Sequence, residues 1–271
     1  MSSIAAPAVA NRKGVTQARV IRSEWTKLRS LRSTRWSLLV ATVLTIGFPI
    51  LASAVISAHW GQRSPSDRAH FHALDVSLIG SQIAQLAIGV LGVLVISGEY
   101  STGMIRASFT AVPKRLPVLW AKAVVFAVVT FALMLPAVLI AFFASQSILS
   151  RHHVQVAFSD PHIARAVIGA ALYLTVVAIF SLALGTILRN TAGGIATFAA
   201  ILFVIPPLMN VLPQSWNDAA SRYLPSNAGR AILSATRDSG SLAPWTGFGV
   251  FCAYAAGTLA LAAVLLVRRD T

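Results

Sequence analysis

Six stretches of about 20 apolar residues recur along the chain, at 37–58, 77–97, 123–145, 166–188, 193–212 and 245–267. A hydrocarbon core about 30 Å thick is crossed by about 20 such residues in helical form, so each stretch predicts one transmembrane helix. None of them holds Asp, Glu, Lys, Arg or His. One ionised group at a helix centre would oppose insertion by about 2.5–3.5 kcal/mol, and these runs avoid that cost. Ahead of the first run, residues 15–35 follow a different rule. Ala18, Ile21, Trp25 and Leu28 recur at helical spacing while Arg19, Arg22, Lys27, Arg29 and Arg32 occupy other faces, which predicts an amphipathic helix lying in the membrane interface. Residues 1–14 read as a disordered leader. Their short apolar stretch precedes the first positive charges, the reverse of a secretory signal. The expected fold is therefore all-α and integral to the membrane, with six spans after one interfacial helix.

Composition strengthens this reading. Hydrophobic residues make up 56 % of the 271 and charged residues 11 %, where a soluble domain carries roughly 25 % charged. The net charge of +14 would ordinarily suggest a nucleic-acid or anionic partner, but its placement gives a simpler account. With both termini cytoplasmic, fifteen basic and three acidic residues fall inside, against seven basic and five acidic outside. Basic residues concentrated on the cytoplasmic side are what orients membrane proteins, so no nucleic-acid role is needed. Trp36 and Trp120 mark inner boundaries, and Trp60, Trp216 and Trp245 mark outer ones, as an interfacial aromatic belt does.

Two connecting segments exceed what a hairpin needs. The inner loop 98–119 carries Glu99, Tyr100, Gly103, Arg106 and the run Pro113-Lys114-Arg115, and its amphiphilic character predicts a short helix over 101–110 ending near Pro113. The outer segment 213–244 includes Leu224, Pro225, Ile232 and Leu233, and it predicts one or two short helices tucked against the mouth of the bundle. All six histidines fall outside, and no Cys or Glu cluster completes a ligand set around the pair His70 and His72, so no metal is expected. Cys252 is alone, which excludes an internal disulfide.

The chemistry of the spans is restricted to amides and hydroxyls, among them Gln82, Gln85, Thr45, Tyr173, Ser181 and Asn210. Ion-coupled transport and intramembrane proteolysis both call for reactive or ionisable groups at such depth, so catalytic residues are not expected. No phosphate-loop motif occurs, and nucleotide energy would have to come from another polypeptide. Pro206-Pro207 predicts a break or kink near the outer end of span five, beside a pathway. Gly249, Ala253 and Gly257 form a small-residue stripe in span six, suited equally to packing within the monomer or to a dimer seam.

Three segments carry a family resemblance. They are Ser23-Glu24-Trp25-Thr26-Lys27-Leu28 with Arg32 and Arg35; Gly98 to Arg106 continuing to Pro113-Lys114-Arg115 and Lys122; and, more weakly, Leu224-Pro225 with Ala228-Gly229. In order and placement the chain resembles the ABC-2 type (type V exporter-like) permeases, most of all short actinobacterial members. That resemblance implies the membrane subunit of an ATP-binding cassette transporter in a bacterial cytoplasmic membrane. It would be paired with a second permease chain, identical or not, and with two copies of a separate ATP-binding subunit that holds ATP and Mg. The resemblance makes 15–35 a connecting helix and 98–119 a coupling loop. It places Glu24, Trp25, Glu99, Tyr100, Arg106 and Arg115 toward the ATPase, and Gln82, Gln85, Phe198, Phe203, Met209 and Asn210 along a substrate pathway. Glu99 is equally placed to neutralise Arg106 or Arg115. The expected activity is export of a hydrophobic or amphipathic compound; the alternative is a membrane scaffold or immunity protein that sequesters a toxic amphipathic molecule.

Reporter fusions test the topology. Alkaline phosphatase fused after Thr271 should be inactive and fluorescent protein there bright, whereas phosphatase fused at residue 155 should be active; the opposite pattern refutes the orientation.

Overall fold

A computed structural model describes residues 16–101, 103, 116–211, 213, 217, 220–236 and 240–269. The expected leader (1–14), the helix predicted over 101–110, Arg106 and Arg115 all lie outside the described residues, apart from the helical Ser101 and a bend at Gly103. The described residues form helices joined by turns: α1 (Gln17–Ser30), α2 (Arg32–Ala58), α3 (Pro65–Ala69), α4 (Ala73–Ser101), α5 (Leu116–Leu149) and α6 (Ile163–Leu188). Span five is composite: α7 (Thr191–Ala199), a π-helical stretch (Ala200–Val204), α8 (Ile205–Leu208) and a 3₁₀ turn (Met209–Val211). α9 (Pro225–Arg230) and α10 (Pro244–Arg268) complete the order. Six of these elements are long and apolar enough to cross a membrane, with mean hydropathy between 2.0 and 2.7.

The bundle is built around α6. Of its most apolar stretch 78 % is buried, against 17 % for span five and 22 % for α2, so α6 is the axis and those two form the periphery. Small residues let helices approach where hydrocarbon supplies no hydrophobic drive of its own. At Gly89 of α4 a Cβ atom would fall 2.0 Å from the Phe198 ring of α7, and at Gly92 another would fall 2.0 Å from Ser181 Oγ of α6. A related device operates at Pro49 in α2. Proline leaves the carbonyl four residues earlier, that of Thr45, without its N–H donor, and Gly80 of α4 comes so near that a Cβ would lie 2.4 Å from that oxygen.

Span five does not break at Pro206-Pro207. The prolines cannot donate to the carbonyls of Leu202 and Phe203, and the chain responds by widening to a π-helix just ahead of them and tightening to 3₁₀ just after. Helical continuity survives at the cost of regular hydrogen bonding. The stripe in α10 also differs from one of its two expected uses. Nothing lies within 4 Å of a Cβ built on Gly249 or Gly257, and Ala253 is exposed, so the stripe faces away from the monomer. Gly247, by contrast, packs inward, where a Cβ would sit 2.5 Å from the Ala228 carbonyl oxygen.

The segment after span five folds back, as its apolar content predicts. Pro225, Ser226, Ala228, Gly229, Ile232 and Leu233 are buried, and Arg165 Nη2 donates to the Ser234 carbonyl at 2.7 Å to pin the far end. At the opposite end, Arg189 closes α6 in the left-handed conformation (φ 53°). Asn190 Oδ1 then caps α7 by accepting from Gly193 N at 2.8 Å, a serviceable two-residue turn.

Glycine contacts generate a paired prediction. Gly89→Leu has to displace the Phe198 ring and should destabilise by at least the 1–3 kcal/mol typical of overpacking. Gly249→Leu should leave monomer stability within about 0.5 kcal/mol, as at other uninvolved surface positions. Thermal unfolding of the two variants in one detergent measures the contrast, and equal losses would refute the packing described.

Candidate functional site

Helical spacing sets Glu24 one turn before Leu28 of the apolar stripe, and it is buried, 4 % exposed. The face that packs on the bundle is Val20, Glu24 and Leu28, one step round from the expected stripe. Ala18 and Trp25 of that stripe are exposed, Ile21 is half-buried, and only Leu28 is buried as expected. The cause is electrostatic. Glu24 Oε2 accepts from Lys122 Nζ of α5 at 2.6 Å, and Glu24 Oε1 accepts from Lys27 Nζ at 2.7 Å. Glu99, near the end of α4, accepts through Oε1 from Lys122 at 2.8 Å and from Lys27 at 3.2 Å. Two carboxylates and two ammoniums thus alternate in a closed, neutral cluster. Glu99 is therefore paired with Lys27 and Lys122, whereas Arg106 and Arg115, its expected counter-charges, lie outside the described residues.

Burial of such groups is tolerable only when each charge is compensated and hydrogen-bonded. Lys122 is 3 % exposed and Glu99 8 %. For the half-exposed Lys27, burial by itself lowers the pKa; the hydrogen bond and charge of Glu24, followed by those of Glu99, outweigh that and hold the ammonium above its ordinary value of 10.5. The Lys27 contribution is thus complete below that ordinary value and is lost only as pH climbs through the raised one. A cavity of about 20 Å³ lies against the cluster, room for one water, and Glu99 Oε2 is buried there without a protein partner.

The cluster corrects the expectation of an interior free of titratable groups. α5 begins at Leu116, seven residues ahead of the predicted span, and α4 runs four residues beyond its own. The extra turns bring Lys122 and Glu99 into the protein. Sequence reading proposed Glu24 and Glu99 singly and missed Lys27 and Lys122 as their partners. Lys122 lies one residue outside an apolar run, a signal that could have marked it. Tyr100 is half-buried, with the Arg189 guanidinium 5.1 Å over its ring. Trp25 is 46 % exposed and sits on the open face of α1.

The pathway candidates separate in the structure. Gln85 is fully buried and accepts a short hydrogen bond from the Tyr173 hydroxyl of α6. Gln82, one turn away, is half-buried. Phe198 is fully buried against Gly89 and meets Phe203 edge-on at 6.4 Å. Met209 is half-buried and Asn210 exposed, its Oδ1 accepting from Asn217 at 3.3 Å. Gln85, Phe198 and Phe203 therefore share the region between α4, α6 and span five, whereas Met209 and Asn210 lie at its distal end.

The described histidines serve the loops. His152 stacks on Trp60 at 5.6 Å and bonds Ser57 at 3.0 Å. No group of three or more His, Cys, Asp or Glu that could hold a metal occurs among the described residues. Compared with models of known protein families and with curated proteins, the chain matches none.

The cluster generates a double-mutant prediction. Lys122→Met leaves two buried carboxylates facing one ammonium and should destabilise by about 3–5 kcal/mol. Adding Glu99→Gln restores neutrality, so the double variant should be more stable than Lys122→Met alone. Unfolding in nanodiscs supplies the cycle, and additive losses would refute the coupling.

Proposed function

We propose that this chain is the membrane-spanning permease subunit of an ATP-binding cassette transporter, carrying hydrophobic or amphipathic compounds out across a bacterial cytoplasmic membrane. The observation that supports it best is the position of the charge cluster. Glu99 stands at the start of the segment 98–119 and Lys122 just after its end, and both close on Glu24 of α1 or on its neighbour Lys27. A displacement imposed on that segment by a soluble partner would be carried into α1, α4 and α5 together, because separating any one of them exposes an uncompensated charge.

In this reading the six coupling candidates divide into two kinds. Glu24 and Glu99 face inward and transmit, while Trp25 on the open face of α1, Tyr100, Arg106 and Arg115 are available to touch the ATPase. The energy comes from ATP and Mg held by that partner, present in two copies, and this chain supplies no catalytic group. Spans two and five flank the route, with Gln82, Gln85, Phe198 and Phe203 along it and Met209 and Asn210 toward its outer end. A second permease chain, the same or another, completes the assembly. The open Gly249, Ala253 and Gly257 stripe is one surface on which it could seat.

Co-purification with the ATPase encoded nearest to this chain tests the reading. The pair should hydrolyse ATP in nanodiscs and drive dye efflux from inside-out vesicles. Arg106→Ala with Arg115→Ala should lower transport at least tenfold while the chain remains folded. Protection of cells against a toxic amphiphile with no ATPase associated would favour a sequestering scaffold instead.

A further inference from the structure

The deepest part of the returning segment carries a cation. At Gly229 of α9 a Cβ would lie 2.7 Å from the rings of both Tyr173 and Phe251, so only glycine admits the approach. Tyr173 is seven residues into the apolar run 166–188, about 10 Å along the helix at 1.5 Å per residue. That depth is about a third of the hydrocarbon core. Arg230 follows Gly229, and its guanidinium lies beside the Tyr173 hydroxyl. The hydroxyl proton is committed to Gln85 Oε1, and its oxygen faces the Arg230 charge. This relay of one hydrogen bond and one charge contact runs from Arg230 of α9 past Tyr173 of α6 to Gln85 of α4.

The relay ends with donors in excess. Gln85 Nε2, Arg230 Nε and Ser226 Oγ are all buried with no hydrogen-bond partner. Gln85 is wholly inaccessible, and Ser226, one helical turn before Arg230, is 1 % exposed. Among the described residues no carboxylate pairs with Arg230. An arginine at this depth is costly unless something compensates its charge. Donors without acceptors beside a cation that no described carboxylate compensates call for an acceptor-only group of one negative charge. The wall beside α9 includes the π-helical stretch of span five, whose hydrogen bonding is already irregular.

We propose that Arg230, with the Gln85 amide and the Ser226 hydroxyl, binds the oxyanion head, carboxylate or phosphodiester, of an amphipathic molecule dissolved in the membrane. The apolar body of the molecule would lie among the helices while its head replaces the missing acceptors. A uniformly neutral interior would favour uncharged cargo; this site favours anionic amphiphiles. Binding belongs to the permease chain alone, so its failure would leave the ATPase-coupled reading untouched.

cis-Parinaric acid, a fluorescent fatty acid, and its uncharged methyl ester are suitable probes for the full-length chain in non-ionic detergent. The acid should bind saturably and at least tenfold more tightly than the ester. Arg230→Gln should reduce that preference at least tenfold while ester binding persists, and Arg230→Lys should retain part of it. Phosphatidylglycerol and inorganic phosphate serve as competitors. Displacement by the lipid alone assigns the site to lipid-soluble anions, as proposed, whereas displacement by phosphate at equal occupancy overturns the membrane-dissolved source. Should Arg230→Gln also lose the ester, indicating misfolding, Gln85→Leu decides, because it keeps the cation and removes the amide. Its acid-to-ester preference should fall at least threefold, and an unchanged preference overturns the proposal. Equal affinity of the intact protein for acid and ester, as expected if water alone fills the site, overturns it too.

Discussion

Hydrocarbon cannot solvate a charge or an unpaired peptide group, and every polar feature of this protein is arranged around that constraint. Where α1, α4 and α5 meet, the chain carries charge into the bundle as a compensated set. Glu24, Lys27, Glu99 and Lys122 form a neutral square in which each carboxylate meets both ammoniums. The cluster also ties α1, α4 and α5 together by ion pairs. The amphipathic helix is thereby joined to the bundle rather than simply resting on lipid. Uncharged polar groups obey the same rule. Gln146 of α5 donates to Ser77 Oγ at 2.9 Å and accepts from the Val156 amide at 2.9 Å, so a buried amide joins α4, α5 and the loop after it.

With charge confined to the ends and one returning segment, the rest of the bundle is held by close steric fit. Glycines at 89 and 92 allow α4 to approach α7 and α6 at distances that any other residue would forbid. The least buried spans, α2, span five and α10, each make such a contact and otherwise present long exposed apolar faces. Hydrocarbon or another protein subunit can satisfy those faces. The weakened hydrogen bonding ahead of Pro206-Pro207 lies on one of them, against α9. Span five is thus both the most exposed span and the least regular. That combination suits an element that moves relative to the axial α6.

The two polar sites are strung along α4. Glu99 lies near its last turn and Gln85 near its middle, about 21 Å apart along a straight helix at 1.5 Å per residue. A rotation of α4 that strains the charge cluster also displaces the Gln85 amide from Tyr173. One continuous helix therefore offers a mechanical link between the end where an ATPase would bind and the depth at which an anionic head would sit. Its lever is rigid because its hydrogen bonds are intact and its flanks are packed.

Much of this architecture is determined by sequence because its cause is local. Twenty apolar residues in succession satisfy their own backbone as a helix and need no partner to do so. The six observed spans accordingly match the six runs, to within seven residues at each end. Residues 15–35 announced a helix by their spacing, and 213–244 announced short buried helices by apolar content. Side-chain partnership across distant segments is not local, and only the tertiary structure decided it. Glu24 reads as solvated until Lys122, 98 positions away, is brought to 2.6 Å. Arg230 reads as an outer-loop residue until Gly229 lets its helix sink onto Tyr173. In both cases an apparent surface charge gains a contact within the fold, burying Glu24 and half-burying Arg230, because folding supplies a neighbour that no pattern along the chain encodes.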